Sequence, residues 1–200
     1  MITITNECNM ELMARYPDNY FDLAIVDPPY GVNLNVGRNN QDLTKDWDNG
    51  IPSEEYFKEL FRVSKNYIIW GGNYFSHFIP SSRCFIYWDK PNIEHLPTMA
   101  DGELALTSFN MNAKKYRTTS ALYNGKKIHP TQKPVKLYEW LLMNYAKEND
   151  KILDTHLGSG SIAIACHNLK FDLTSCELDK EYYEASLKRL NTHQSQLTMF

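Results

Sequence analysis

KILDTHLGSGS, residues 151–161, is a short apolar strand pattern ending on Asp154, followed by a glycine loop that opens the helix-like stretch SIAIACHNLK. Gly158 and Gly160 allow a tight turn and close approach of a ligand to the backbone. A second strand, DLTSCEL (172–178), carries Glu177 about twenty residues after Asp154, where doubly wound folds place an acid for ribose hydroxyls. The loop lacks the lysine of a phosphate-binding P-loop and lacks a full G-x-G-x-x-G. A nucleoside ligand is therefore expected in preference to a pyrophosphate one.

Outward from this unit, strand and helix patterns alternate. FDLAIVD (21–27) is an apolar run that stops at Pro28-Pro29, as a buried parallel strand does. Ser53 can cap a helix over 53–64, with Tyr56, Phe57, Leu60, Phe61 and Val63 on its apolar side. NYIIWGG (66–72), RCFIYWDK (83–90) and GELALTSF (102–109) read as strands. Pro134 suits the first position of a helix running to about Lys147, and Asp179 caps a last helix through Leu190. This alternation predicts one α/β domain over 1–200, a doubly wound, mostly parallel sheet with helices on both faces. A polar, basic segment at about 89–130 is the expected small insert that reads the substrate, and about 192–200 the expected tail.

The chain has 200 residues, 42% hydrophobic and 22% charged, which is ordinary for one globular domain. No apolar run nears the roughly 18 residues that span a bilayer, and MITITNECNMELM has no basic-then-apolar leader. A cytoplasmic protein is expected. Cys8, Cys84, Cys166 and Cys176 form no C-x-x-C and have no histidine at zinc spacing, so they read as small buried residues and no metal is expected. The net charge of −3 excludes coating nucleic acid by bulk charge and leaves room for a local basic face.

DPPYG (27–31) carries the chemistry. Asp27 ends a buried strand at the sheet's carboxyl edge, where open α/β folds bind ligands. Pro28 and Pro29 stiffen the backbone and have no N–H, so the Pro28 carbonyl points in one direction. The exocyclic amine of adenine or cytosine has two hydrogens and a lone pair delocalised into its ring. A carboxylate and a carbonyl that take one N–H each favour a pyramidal nitrogen with a free lone pair. Tyr30 offers a face for stacking on a base flipped out of its helix. Positioning carries such a reaction without a covalent intermediate. A carbon-five cytosine reaction needs a nucleophilic cysteine, often as Pro-Cys, which is missing here.

Together these residues resemble the S-adenosylmethionine-dependent amino-methyltransferases of DNA, in the β group, whose circularly permuted order puts the catalytic motif before the cofactor motif. DPPYG is similar to the catalytic motif, HPTQKP (129–134) to the motif preceding the glycine loop, and DTHLGSGS to D-P-F-x-G-S-G-T. CELDKEYYEASLKRL (176–190) is similar to the following strand and helix. The match spans nearly the whole chain. IIWGGNYF (68–75), FIYWDK (85–90) and GELALTSF resemble short phage and prophage members of this restriction-modification-type family and are expected to wall the flipped-base pocket. The resemblance implies a Rossmann-like methyltransferase fold. It places Asp27, Pro28, Pro29 and Tyr30 at the catalytic centre. Lys133 and Pro134 would flank the methionine part of the cofactor, with Thr131 and Gln132 close by. Asp154, Leu157, Gly158, Ser159, Gly160 and Ser161 would line its amino-acid end, with Glu177 and Leu178 at ribose and adenine and Glu7 and Cys8 on the adenine side. Thr155-His156 replaces the usual Pro-Phe; His156 either substitutes as a flat ring or points to solvent. Asp at position 27 implies adenine, with cytosine or RNA as alternative targets and an inactive DNA-binding subunit as the non-enzyme alternative.

Double-stranded DNA is the expected partner of a monomer or homodimer. Lys114, Lys115, Arg117, Lys126 and Lys127, with Lys90 and Arg38, are expected to meet phosphates. Residues 32–50 read as a loop closing over the base. Gln196 to Phe200, QLTMF, resembles the short peptide that docks on the replication sliding clamp; alternatively Leu197 and Phe200 pack back on the domain.

Overall fold

The computed structural model describes residues 1–32, 50–91, 100–118, 128–129 and 131–197, and the account below concerns these. Eight strands form one sheet: β1 (Ile2–Thr5), β2 (Leu23–Val26), β3 (Tyr67–Trp70), β4 (Phe85–Asp89), β5 (Gly102–Thr107), β6 (Lys114–Arg117), β7 (Lys151–Asp154) and β8 (Asp172–Cys176). Their order is β1-β8-β7-β2-β3-β5-β4-β6. The first five run parallel, β5 is antiparallel to both β3 and β4, and β6 pairs parallel with β4. The helices are α1 (Asn9–Ala14), α2 (Glu54–Val63), α3 (Val135–Tyr145), α4 (Ser161–Leu169) and α5 (Lys180–Leu197).

The continuous apolar runs follow from burial on both faces. Leu23 and Ile25 of β2, with Ile68 and Trp70 of β3, join a core under α3 and α4 that includes Leu137, Leu141, Ile162 and Ala163. The alternate residues Ala24, Val26 and Ile69 face α1 and α2, against Leu12, Met13, Tyr56, Phe57 and Leu60. Each fully buried side chain of this size contributes about 1.5–3 kcal/mol. Ser53 accepts the Tyr56 N–H at 3.4 Å, so α2 starts where its sequence places the cap.

The site is positioned at the sheet's centre. From β7 the chain leaves through α4 to β8 on one side, and from β2 it leaves through α2 to β3 on the other. These opposite departures open a crevice at the carboxyl ends of β2 and β7. Asp27 and Asp154 both stand there.

Three boundaries differ from the sequence reading. Pro134 sits just before α3 as its cap, with ψ of 140°, because an extended entry brings residues 131–133 over the sheet edge. The last helix continues to Leu197, so residues 192–197 are helical, not tail. Within 89–130, Gly102–Thr107 is the strand expected from GELALTSF, but Lys114–Arg117 is a further strand of the main sheet. β6 escaped the sequence reading because a polar edge strand has no apolar alternation to betray it. Arg38, Lys126, Lys127, most of the 32–50 loop, and Thr198 to Phe200 of the clamp-like peptide lie outside the described residues.

Gly71, just after β3, has φ of +68°, and a Cβ there would lie 2.2 Å from the Tyr30 ring. Only glycine lets Tyr30 sit against this turn. Gly71→Ala is expected to cost about 2–4 kcal/mol from left-handed strain and overlap, lowering the thermal midpoint by several degrees. Gly50→Ala, where an added Cβ meets nothing within 4 Å, should leave the melt unchanged.

Candidate active site

Four charged side chains from four segments meet beside β2. The Lys133 ammonium, with its side chain only 2% exposed, donates to Asp27 Oδ2 and lies 3.0 Å from Glu103 Oε2. Lys90 donates to Glu103 Oε1. The Tyr30 hydroxyl donates to Asp27 Oδ1 at 2.6 Å and lies 3.4 Å from Glu103 Oε2. The Trp70 ring, 5.4 Å from the ammonium, closes the cluster from the core side. Two acids and two lysines make the group neutral overall, which is how buried charge is tolerated.

Burial pushes the Asp27 carboxyl above its ordinary pKa; Lys133 opposes the rise and Glu103 adds to it. Burial would likewise raise Glu103, but Lys133 and Lys90 together outweigh it and hold this carboxyl at about 2. Burial disfavours the Lys133 ammonium, yet Asp27 and Glu103 keep it charged beyond the ordinary range. Tyr30 is pushed well above its ordinary value by burial and both carboxylates, so it stays a donor. The cluster can therefore present an oriented carboxylate whose two oxygens are each already fixed by one donor.

The second half of the site lies along β7 and β8. Asp154 is buried and accepts the His156 N–H at 3.0 Å; desolvation pushes its carboxyl up to about 8. Glu177 accepts the Gly158 N–H at 2.8 Å and the Asp179 N–H at 2.9 Å, with its pKa raised by burial. Leu178, beside it, is 73% exposed. An apolar side chain so exposed next to a carboxylate offers a platform for a flat ring and an acceptor for hydroxyls. Ser161 donates to the Lys133 carbonyl at 2.7 Å, and Arg189 donates to the Ser159 carbonyl at 2.7 Å. These bonds tie residues 131–133 to the start of α4 and join the two halves. Thr131 bonds His129, and Gln132 accepts the Ile128 N–H at 3.1 Å, so both shape that segment.

His156 is packed rather than turned to solvent. Its ring meets Tyr56 edge-on at 5.3 Å, and its nitrogens pair with Thr155 at 2.9 Å and Asn9 at 3.0 Å. Burial lowers its pKa to about 4, so it is a neutral flat ring at pH 7. With the Asn9 amide donating, Nε2 accepts and Nδ1 carries the proton.

One sequence expectation is corrected. Lys90 is buried and committed to Glu103 and the Trp88 ring 4.5 Å away, so it is no surface ligand for phosphate. Arg15 donates to both oxygens of Glu7, at 2.5 and 2.6 Å, and this pairing holds the carboxyl at about 2. Asn6, beside it, clasps the carbonyls of Glu177 and Leu178 at 2.8 and 3.0 Å, and Cys8 is the N-cap residue of α1. Lys114, Lys115 and Arg117 do line one strand at the sheet's edge, with Lys115 and Arg117 within 3.1 and 3.6 Å of Asp89. Glu103 and Tyr74 were not singled out in the sequence. Glu103 is the one acid in an apolar strand, a signal in hindsight. Tyr74 stacks on Tyr30 at 5.1 Å and 15°, so one partner for the Tyr30 ring is already present.

Residues 84–188 match the family model N6_N4_Mtase, described as DNA methylase. The type II methyltransferase M.HpaI of Haemophilus parainfluenzae is 25% identical over 228 residues, covering 92% of this chain and 72% of the relative. The putative methylase YubD of Escherichia coli K12 is 26% identical over 209 residues, covering 94% and 88%. Among solved structures, the M1.HpyAVI–SAM complex superposes with a TM-score of 0.67 at 23% identity, covering 96% of this chain and 100% of that one. The cytosine-N4-specific PvuII DNA methyltransferase superposes at 0.66 with 14% identity, covering 98% and 92%. With the family match spanning more than half its length and including Glu103, Lys133 and the glycine loop, the chain belongs to the DNA methylase family.

Proposed function

We propose that this protein transfers the methyl group of S-adenosylmethionine to the exocyclic amine of adenine in double-stranded DNA. The observation that carries this reading is the Asp27 carboxylate, fixed by Lys133 and Tyr30 at the carboxyl end of β2, beside the crevice that holds Asp154. Support for the cofactor comes from the donor set: Glu177 on the loop amides, the exposed Leu178, the neutral His156 ring and the buried Asp154 suit a nucleoside with a cationic tail. Bound S-adenosylmethionine supplies an electrophilic methyl group.

The chain's own residues do the rest. Asp27 accepts one amine hydrogen and the Pro28 carbonyl the other, which frees the nitrogen lone pair for attack. Asp27 keeps spare lone pairs for this because each oxygen holds one donor. Tyr30 holds Asp27 and stacks within an aromatic group that includes Tyr74 and Phe75. Walls of Trp70 and Trp88 exclude water on the core side. Aspartate at position 27 supports adenine through the family resemblance; the same two acceptors would also hold the N4 amine of cytosine.

Labelled methyl transfer to duplex DNA, followed by nucleoside analysis, should yield N6-methyladenine; N4-methylcytosine would reassign the base. Asp27→Ala is expected to lower transfer by at least about a hundredfold while cofactor binding persists. Replacing Lys114, Lys115 and Arg117 together should reduce the slope of log affinity against log salt by about two to three units. Because Asp154 is protonated at neutral pH without ligand, a cationic ligand group beside it should drive off that proton. Calorimetry at pH 7 in buffers of different ionisation enthalpy should show proton release approaching one per cofactor, with affinity rising as pH increases from 6 to 8. Heats independent of buffer would contradict this role for Asp154.

A further inference from the structure

Lys133 serves two carboxylates, and only one of them, Asp27, belongs to the DPPYG motif. Glu103 is held by the Lys90 ammonium on one oxygen and by Lys133 on the other, in a cluster whose lysines are almost solvent-free. Glu103 thus competes with Asp27 for the same ammonium, and Lys90 tempers that competition. Resting on the function proposed above, we propose that Glu103 and Lys90 are positioning residues that act through Lys133 to hold Asp27 as an ionised acceptor and set the pH at which turnover begins.

The signs follow from charge. Among the described residues, the groups facing Asp27 are Tyr30 on its own loop, Lys133 on the segment before α3, Glu103 on β5, Asp154 on β7 and Tyr56 on α2. Tyr30 and Tyr56 are neutral across the working range, and Asp154 is common to every variant compared. The difference between variants therefore comes from Glu103 and its partner Lys90. Glu103→Gln removes a like charge and gives Lys133 wholly to Asp27, which favours the carboxylate. Lys90→Gln leaves Glu103 unscreened, draws Lys133 away and disfavours the carboxylate. Removing both restores a neutral group of Asp27 and Lys133.

The test compares kcat against pH at saturating DNA and S-adenosylmethionine for the full-length protein and these three variants. The acid limb should move down by about one pH unit in Glu103→Gln and up by about one unit in Lys90→Gln. The double variant should return it to the parent's position. Glu103→Asp and Lys90→Arg, which keep the charges, should leave the limb in place. Carbon-13 titration of the Asp27 carboxyl, without DNA, should move in the same directions and needs no turnover. Rates that fall with the limb unmoved, or a limb moving one way in both single variants, would overturn the proposal, as would an unshifted carboxyl titration. If the parent transfers no methyl to any DNA, the functional reading fails, and the carboxyl titration still decides the coupling. Should Glu103→Gln fail to fold, the Lys90→Gln shift carries the same decision.

Discussion

The ammonium of Lys133, shared between Asp27 and Glu103 where almost no solvent reaches, is the contact on which the site depends. An isolated carboxylate at the depth of Asp27 would take up a proton, and an isolated lysine there would lose one. With Lys90 behind Glu103, opposite charge offsets part of the desolvation cost and keeps Lys133 an ammonium and Glu103 a carboxylate, while burial still pushes Asp27 above its ordinary pKa. The same contact has an architectural consequence. Lys133 enters just before α3, Asp27 leaves β2, and Glu103 belongs to β5, so one ammonium pins three distant stretches of chain to a single point.

The sheet makes that meeting unavoidable. β2 lies between β7 and β3, and β5 follows β3, so the ends that carry Asp154, Asp27 and the turn at Gly71 line one edge. Both faces of the central strands are covered by helices, which leaves the carboxyl edge as the open side at the centre. Strand ends hold Asp27 and Asp154, and β5 holds Glu103. Burying this charge costs stability locally, and the two large cores offset it.

The departure from the family pattern at Thr155-His156 and the pairing of Glu7 have local physical answers. At Thr155-His156, a neutral ring held by Tyr56, Thr155 and Asn9 stands where an aromatic side chain is usual. At Glu7, the acid has been drawn into an ion pair with Arg15, and Asn6 takes over the neighbouring backbone carbonyls. Both changes keep shape and neutrality on the side where a nucleoside would lie.

The parallel core, the glycine loop, Asp27, Asp154 and Glu177 were legible in the chain, because apolar runs, turn residues and strand-end acids are local patterns. So was α2, whose cap and apolar stripe lie within twelve residues. Tertiary structure alone decided the partners: that Lys133 reaches Asp27, that Glu103 shares it, that Lys90 is buried rather than free for phosphate, and that Glu7 belongs to Arg15. Ion pairs between residues up to about a hundred positions apart leave no mark in local periodicity, since a lysine reads the same whether it meets water or a carboxylate. Residue type and spacing determine which elements form and where their ends fall; only the packed sheet determines which charges stand close enough to change each other's chemistry.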